Sequence, residues 1–264
     1  MKSKLTALGL LCAGAFGAAL RIWSLKTAYE TGTNLAIAGA PALIILIVYA
    51  IAIPLLALGA AFWLRKNTSG TPSLYSGVSA PMSLLGIVAA VAITAGCFLR
   101  LMSNVTLLAG GNRANLMVSL VDLLMFTGGV CMLWIAVSGM HEGTRFHNSI
   151  LPLVPGFAAC MALVMFYQNN SRDPGVTHYC WILLSIMACV LALYHQASYA
   201  FDNPHPVRTQ WATMTAGAYA LLALPDAGSP SEVLILVGIA LWMVQRCAVI
   251  SSPCHSEEQR DEES

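Results

Sequence analysis

Charged residues are scarce in this sequence, and their scarcity excludes most classes of soluble protein. Only 9% of the 264 residues are charged, whereas 58% are hydrophobic. Soluble domains are about a quarter charged and less than half apolar. A mean hydropathy of +0.72 over the whole chain requires many segments that are solvated by lipid. The formal net charge of +1 leaves no electrostatic footprint for nucleic acid.

Sequence motifs for metals, nucleotides and haem are also missing. There is no Walker A or His-Glu-x-x-His motif, and the cysteines lack the close spacing of metal or redox sites. A bis-histidine haem needs two histidines at matching depth on facing helices. His178 and His195 are the only histidines in or bounding the predicted spans, and about 25 Å of one helix separates them. We therefore predict no cofactor, no metal site and no catalytic residues.

Long apolar runs take the place of these motifs. They predict an all-α fold, a polytopic transmembrane helical bundle of about eight spans in a single domain over residues 1–250. An acidic C-terminal tail over 251–264 is predicted to be disordered. The count falls to seven if 209–224 is re-entrant. The predicted spans are 5–20, 41–64, 82–102 (continuing as far as 109), 116–139, 150–167, 178–201, 209–224 and 231–250.

Proline and serine make two local predictions within this bundle. Pro54 lies inside the second span, so it should kink the helix, and neighbouring helices should cover the carbonyl that it frees. Ser231 is predicted to cap the eighth helix, with Glu232 in its first turn.

A repeated frame links the first and third spans. The pattern A-x3-G-x2-L-R-x2-S-x2-T begins at Ala13 and again at Ala92. Its small residues lie four apart, which lets helices approach closely. The match predicts a parallel repeat of helices 1 and 3. Arg21 and Arg100 end the two small-residue stripes, so we expect them at equal depth near the outer interface, on the packed face.

These two arginines have two interpretations. Each can extend to lipid phosphates, which is the ordinary behaviour of an arginine at a span end. Together they can form a paired site for a small anionic solute, because a guanidinium binds carboxylate or phosphate bidentately. Asp122 lies inside the fourth span and is costly there unless it faces a partner or a water-filled cavity. We predict a structural ion pair between Asp122 and one of the arginines.

A second polar group ends the sixth span. Helical spacing places His195, Ser198, Tyr199 and Asp202 on one stripe near the inner interface. As ligand-binding residues, His195, Tyr199 and Asp202 could bind a solute or relay a proton. The competing interpretation is an interfacial belt of Tyr and His, with Asp202 capping a turn.

Two resemblances accompany this pattern. The segment Ala136-Val137-Ser138-Gly139 with His195 is superficially similar to rhomboid proteases, which would imply an intramembrane serine hydrolase. Ala136 departs from that family's Gly-x-Ser-Gly motif. Around Leu20-Arg21-Ile22-Trp23 and Tyr194–Tyr199 the layout resembles uncharacterised multipass membrane proteins of anaerobic Gram-positive bacteria, a group that implies no specific function.

Basic residues predict the orientation in the cell membrane. With eight spans, both termini lie on one side, and the side richer in Lys and Arg faces the cytoplasm. That side carries Lys2, Lys4, Arg65, Lys66, Arg145, Arg208, Arg246 and Arg260, against Arg21, Lys26, Arg100, Arg113 and Arg172 on the other.

Three functions are consistent with the sequence. The first is a small-solute (anion) carrier, and the alternative is a non-catalytic subunit or scaffold that binds a membrane protein partner. The serine hydrolase is a distant third. A carrier requires a polar cavity toward the midplane, whereas a scaffold requires paired polar groups and a sealed apolar interior.

Overall fold

The chain forms an all-helical bundle. A computed structural model describes residues 2–30, 35–65, 74–75, 78–109, 116–139, 150–171, 176–201 and 203–251. Within these ranges it contains eight α-helices and no β-strand. They are α1 (Lys2–Thr27), α2 (Pro41–Arg65), α3 (Ala80–Ala109), α4 (Leu116–Ser138), α5 (Leu153–Asn170), α6 (Val176–Ala197), α7 (Pro206–Leu222) and α8 (Pro230–Ile250). The predicted fold class is confirmed, and the acidic tail lies outside the described residues.

Six of these helices are long and apolar enough to cross a membrane, so the protein is membrane-embedded. The two others, α5 and α7, fall below that limit for different reasons. Helix α5 ends in the polar residues Gln168, Asn169 and Asn170, whereas α7 has only 17 residues. The helix count agrees with the predicted eight segments.

Helix α7 lies at the centre of the bundle. It packs against α1, α2, α6 and α8, and most of its residues are buried. Small residues such as Ala216 and Gly217 allow these close contacts, and Thr209 and Thr213 are buried among them. Because neighbouring helices surround α7, it needs little hydrophobicity of its own, and this explains why its span was weak in the sequence.

Pro54 has the predicted consequence for α2. A proline leaves the carbonyl four residues earlier without its helical hydrogen bond, and here that carbonyl belongs to Ala50. The Tyr219 hydroxyl of α7 donates to it at 2.7 Å. The indole N–H of Trp211, also on α7, donates to the Pro54 carbonyl at 2.9 Å. The expectation that a neighbouring helix covers the freed carbonyl is confirmed.

Glycines bring α3 and α8 into close contact. A Cβ atom built on Gly96 would lie 2.8 Å from the Ser231 carbonyl oxygen, and one on Gly238 would lie 2.9 Å from the Ala89 carbonyl oxygen. Both are shorter than real Cβ contacts, so a side chain at either position would push the helices apart. The small-residue stripe of the third span is therefore used for helix packing, as predicted.

The start of α8 differs from the prediction. Ser229, and not Ser231, is the N-cap, because its side chain accepts a hydrogen bond from the Glu232 backbone N–H at 3.3 Å. Pro230 then occupies the first turn, where its missing N–H has no cost. The Glu232 carboxylate accepts from the Gly228 backbone N–H at 2.8 Å. The proline shifts the helix start toward the N-terminus.

Candidate functional site

Arg21 is completely buried in a network of partners at the end of α1. Its Nε donates to both Asp226 carboxylate oxygens at 3.0 and 2.9 Å, and Nη2 donates to one of them at 2.7 Å. Its Nη1 donates to the Ser24 and Tyr29 hydroxyls at 3.2 and 2.8 Å. The guanidinium carbon also lies 5.8 Å from the ring centroid of Trp181. This arginine fixes α1 to the turn between α7 and α8.

Arg100, at the matching position of the frame, has a different environment. Its Nε lies 3.0 Å from an Asp122 carboxylate oxygen, and the side chain is 38% exposed while that of Asp122 is 3% exposed. The side-chain amide of Asn104 donates to the other Asp122 oxygen. The predicted pair between Asp122 and one arginine is confirmed. Arg21 is on a packed face, as expected, whereas Arg100 faces α4 and is only half-buried.

The two arginines use separate carboxylates and lie on separate helix pairs. Helix α1 packs against α7, α2 and α8, whereas α3 packs against α8 and α4. In both helices, the glycine one turn before the arginine is in close contact with a neighbouring helix. Gly17 of α1 lies against Tyr49 and Leu222, and Gly96 of α3 lies against α8. The frame thus gives the same local geometry with different partners. Both guanidinium groups already hold a carboxylate, and this does not favour the paired anion site.

A cavity of about 110 Å³ lies beside Arg100. Residues of α3, α4, α5, α6 and α8 line it. These helices pack side by side in a ring, in which α7 lies between α6 and α8. Arg100, Asp122 and Glu232 line one end, and Trp242 and Met243 line the other. The helical rise of about 1.5 Å per residue places Trp242 about 15 Å below Glu232 along α8.

The cavity wall is apolar between its ends. It includes four methionines, which adapt readily to the shape of an apolar ligand. The bulk of the remaining wall is aliphatic, and its polar members include the Ser185 side chain. Glycine brings α4 close to α5 at one side of this wall, where a Cβ atom built on Gly128 would lie 3.2 Å from the Ala158 side chain. The methionines are Met125, Met132, Met165 and Met243.

The polar stripe predicted at the end of the sixth span is interrupted. Helix α6 ends at Ala197, and a 3₁₀ turn follows over Ser198–Phe201. The Ser198 hydroxyl donates to the backbone carbonyl of His195 at 2.7 Å, and the His195 ring packs against Tyr194 at 5.4 Å. Asp202 lies outside the described residues. Ligand binding by His195, Tyr199 and Asp202 stays a prediction, as does a hydrolase that uses Ser138.

Arg246, at the other end of α8, is buried without an ion-pair partner among the described residues. Its guanidinium carbon lies 4.2 Å from the Trp242 ring centroid and 5.3 Å from that of Tyr75. Nη1 donates to the Leu74 carbonyl at 2.7 Å. Burial raises the pKa of Tyr75 to about 12, against the opposing effect of the nearby Arg246. Stacking on two aromatic faces replaces a carboxylate and holds Leu74 and Tyr75 against α8.

Sequence reasoning missed Asp226, Glu232 as a cavity residue, and the environment of Arg246. Asp226 falls in a predicted turn, where an acidic residue is ordinary, so nothing local indicated that its side chain is buried. In the sequence, Arg246 counts only as one of the basic residues of the predicted cytoplasmic side. A signal for it existed in Trp242, which lies one helical turn earlier on the same face.

Comparisons with known proteins give no relative: no family model, no curated protein and no solved structure matches this chain.

Proposed function

We propose that this membrane protein binds a single-chain apolar or amphiphilic molecule in the cavity, as a carrier or as a membrane-bound binding subunit. The observation that carries the proposal is the cavity that residues of five helices line. Interiors are normally packed to crystal-like density, so a cavity that is continuous over several turns calls for an occupant.

The length of the cavity supports an occupant with one hydrocarbon chain. The hydrocarbon core of a bilayer is about 30 Å thick, so one leaflet is about 15 Å. The distance along α8 from Glu232 to Trp242 is similar. Charged groups cluster at the Glu232 end and apolar groups line the rest, as an amphiphile requires.

The charges favour this ligand over the small anionic solute that the sequence suggested. Asp122 and Glu232 carry two negative charges at the charged end, and Arg100 carries one positive charge. Arg21 is fully engaged by Asp226 and is not part of the cavity wall. An anion would therefore meet a formal excess of negative charge.

A second candidate is the scaffold that assembles with a membrane protein partner. One observation favours it: the ion pairs of Arg21 and Arg100 satisfy charged groups that a carrier could have used for a solute. In that case the cavity has no specific occupant. In both cases the proposed location is the cell membrane with both termini in the cytoplasm, from the distribution of basic residues.

Photochemical labelling separates the two candidates. The protein is placed in lipid nanodiscs with an uncharged long-chain alcohol that carries a diazirine near the chain end, and labelled peptides are identified by mass spectrometry. Ala162 on α5 lines the cavity, whereas Val164 on the same helix is 48% exposed. Ala162→Phe fills the cavity, and Val164→Phe is the matched control.

We expect labels on cavity-lining peptides of α4, α5 and α6, reduced several-fold in Ala162→Phe and unchanged in Val164→Phe. Labelling confined to lipid-facing positions, with equal yields in both variants, would support the scaffold and exclude an intramembrane binding site.

A further inference from the structure

The charged end of the cavity has a composition that selects the sign of the ligand. Three charged side chains line it, Arg100, Asp122 and Glu232, and their formal charges sum to −1. The remaining wall is apolar and Asp122 is 3% exposed, so water screens the charge of Asp122 weakly. Here we propose that the cavity takes a single-chain amphiphile with one positive charge, and that Arg100 is an exchangeable internal cation that occupies Asp122 until the ligand arrives. This inference rests on the proposed function.

The contrast between the two arginines shows that Arg100 is suited to exchange. Arg21 is completely buried and makes five hydrogen bonds to Asp226, Ser24 and Tyr29. Arg100 approaches one oxygen of Asp122 through Nε alone, and its side chain is 38% exposed. Within the described part of the chain, its terminal nitrogens make no hydrogen bond. The single contact of Arg100, on a half-exposed side chain, is therefore much weaker than the buried network of Arg21.

When a ligand ammonium replaces the Arg100 guanidinium, a positive charge stays beside the Asp122 carboxylate. Asp122 is 3% exposed, and a buried carboxylate without a partner is strongly destabilising. A ligand ammonium that replaces the guanidinium retains an opposite charge beside the carboxylate. Asn104 continues to donate to the other oxygen. Arg100 meanwhile has a long, flexible stem, which lets its head group reach the lipid head groups.

Glu232 supplies the charge that distinguishes a cation from a neutral ligand. Its carboxylate caps the start of α8 by accepting from the Gly228 backbone N–H, so its position is fixed. In contrast to Asp122, no arginine lies within ion-pair distance of it among the described residues. Once Arg100 has turned away, the ligand's charge faces two carboxylates. An anionic ligand would instead require Arg100 to leave Asp122 bare.

Three probes with one common chain test the inference on the full-length protein in nanodiscs. Each carries the same alkyl diazirine, and the head groups are trimethylammonium, hydroxyl and sulfonate, whose charges do not change with pH. We expect the cationic probe to label cavity peptides about tenfold more than the hydroxyl probe, a difference of about 1.4 kcal/mol. The sulfonate probe should label least. Each yield is normalised to the labelling of lipid-facing peptides in the same sample, which corrects for membrane concentration.

Two variants test the roles of the charged groups through the ratio of cationic to hydroxyl labelling. This ratio does not depend on the fraction of protein that folds. Arg100→Gln removes the internal competitor and should raise the ratio several-fold, whereas Glu232→Gln should lower it toward one. If Arg100 only holds α3 to α4, Arg100→Gln will change both probes equally.

The outcomes distinguish failure of the cationic ligand from failure of the binding cavity itself. Equal labelling by all three probes, or an unchanged ratio in Arg100→Gln, overturns the cationic ligand and leaves the binding cavity standing. If none of the three probes labels the cavity, the proposed function itself fails.

Discussion

Arginine side chains occupy three different environments in this bundle, and the difference lies in what compensates the charge. Arg21 has the Asp226 carboxylate on one edge of its guanidinium, two hydroxyl groups beside Nη1, and no exposure. Arg100 has one contact to Asp122 and reaches the surface. Arg246 has aromatic faces and a backbone carbonyl. The loss in free energy of unfolding on removing a partner should therefore increase with the burial of the arginine that is left behind.

The first prediction compares the two aspartates. Asp226→Asn leaves Arg21 buried without a counter-charge, so it should lower the free energy of unfolding by about 3–5 kcal/mol. Asp122→Asn should cost only about 1 kcal/mol, because Arg100 can extend into water and lipid head groups. Reversible unfolding in mixed detergent micelles measures both values. A larger loss for Asp122→Asn would contradict the distinction between a fixed arginine and an exchangeable one.

The kind of partner that Asp122 has was predictable from the sequence. The pairing of Asp122 with an arginine followed from the cost of a carboxylate inside a span. That cost did not indicate which arginine would be the partner of Asp122. Asp122 and Arg100 meet because α3 and α4 pack side by side, while Arg21 had a better partner in Asp226, which the chain brings close only when α7 and α8 have folded.

At the scale of elements, close helix contacts depend on residues that have no side chain. Gly96 and Gly238 let α3 and α8 approach until backbone atoms of one helix meet the Cα positions of the other. Glycines on the lipid-facing surface have no such role. Gly59 on α2 is exposed, and a Cβ atom built on it would meet nothing within 4 Å.

The second prediction uses this contrast. Gly96→Ala places a methyl group 2.8 Å from the Ser231 carbonyl oxygen, so α8 must shift, at a cost of about 1–3 kcal/mol. Gly59→Ala should be neutral or stabilising by up to about 1 kcal/mol, since alanine is the better helix former. Thermal unfolding followed by circular dichroism in detergent compares them. Equal melting temperatures for the two variants would show that the α3–α8 contact is looser than described.

Element boundaries were predictable where hydropathy changes sharply, as at Arg65 and at Leu116. They were less predictable where a local hydrogen bond decides. The predicted sixth helix ran to 201, but regular α-helix ends at Ala197, and a 3₁₀ turn completes it. The cap of α8 moved from Ser231 to Ser229, because a proline at the first position is compatible with the helix.

For the whole molecule, the arrangement of helices accounts for the placement of basic residues. The predicted topology assigns Arg21 and Arg100 to the outer side, which the positive-inside rule leaves poor in arginine. Each has an acidic partner within the protein, so neither is an uncompensated positive charge when basic residues on the two sides of the membrane are compared. The other basic residues that the predicted topology assigns to the outer side are Lys26, Arg113 and Arg172.

The third prediction is the orientation that follows. A reporter that fluoresces only in the cytoplasm should be active when it is fused after Ser264. The same reporter should be inactive when it is inserted after Gly111, in the segment between α3 and α4. Inserting a reporter after Asn67, between α2 and α3, provides a control that should be active. The reverse pattern would show that the bundle is inverted.

The amino-acid sequence alone is enough to show that the chain is a polytopic helical membrane protein. Composition and the length of apolar runs are local quantities, and in lipid only a helix satisfies the backbone of each segment without help from another. The same locality indicated that Pro54 would need a partner from another helix and that Asp122 would need a cation. Both needs arise within one segment and are visible in its residues.

Which groups meet these needs depends on how the helices pack, and so does the presence of a cavity in the interior. Tyr219 reaches Ala50, Asp226 reaches Arg21, and five helices leave a cavity beside Arg100, all across long separations in the chain. The physical reason is that lipid solvates the outer faces of all the helices alike, so hydrophobicity does not specify which helices become neighbours. Small residues, buried hydrogen bonds and ion pairs specify the neighbours, and they act only after the helices are in contact.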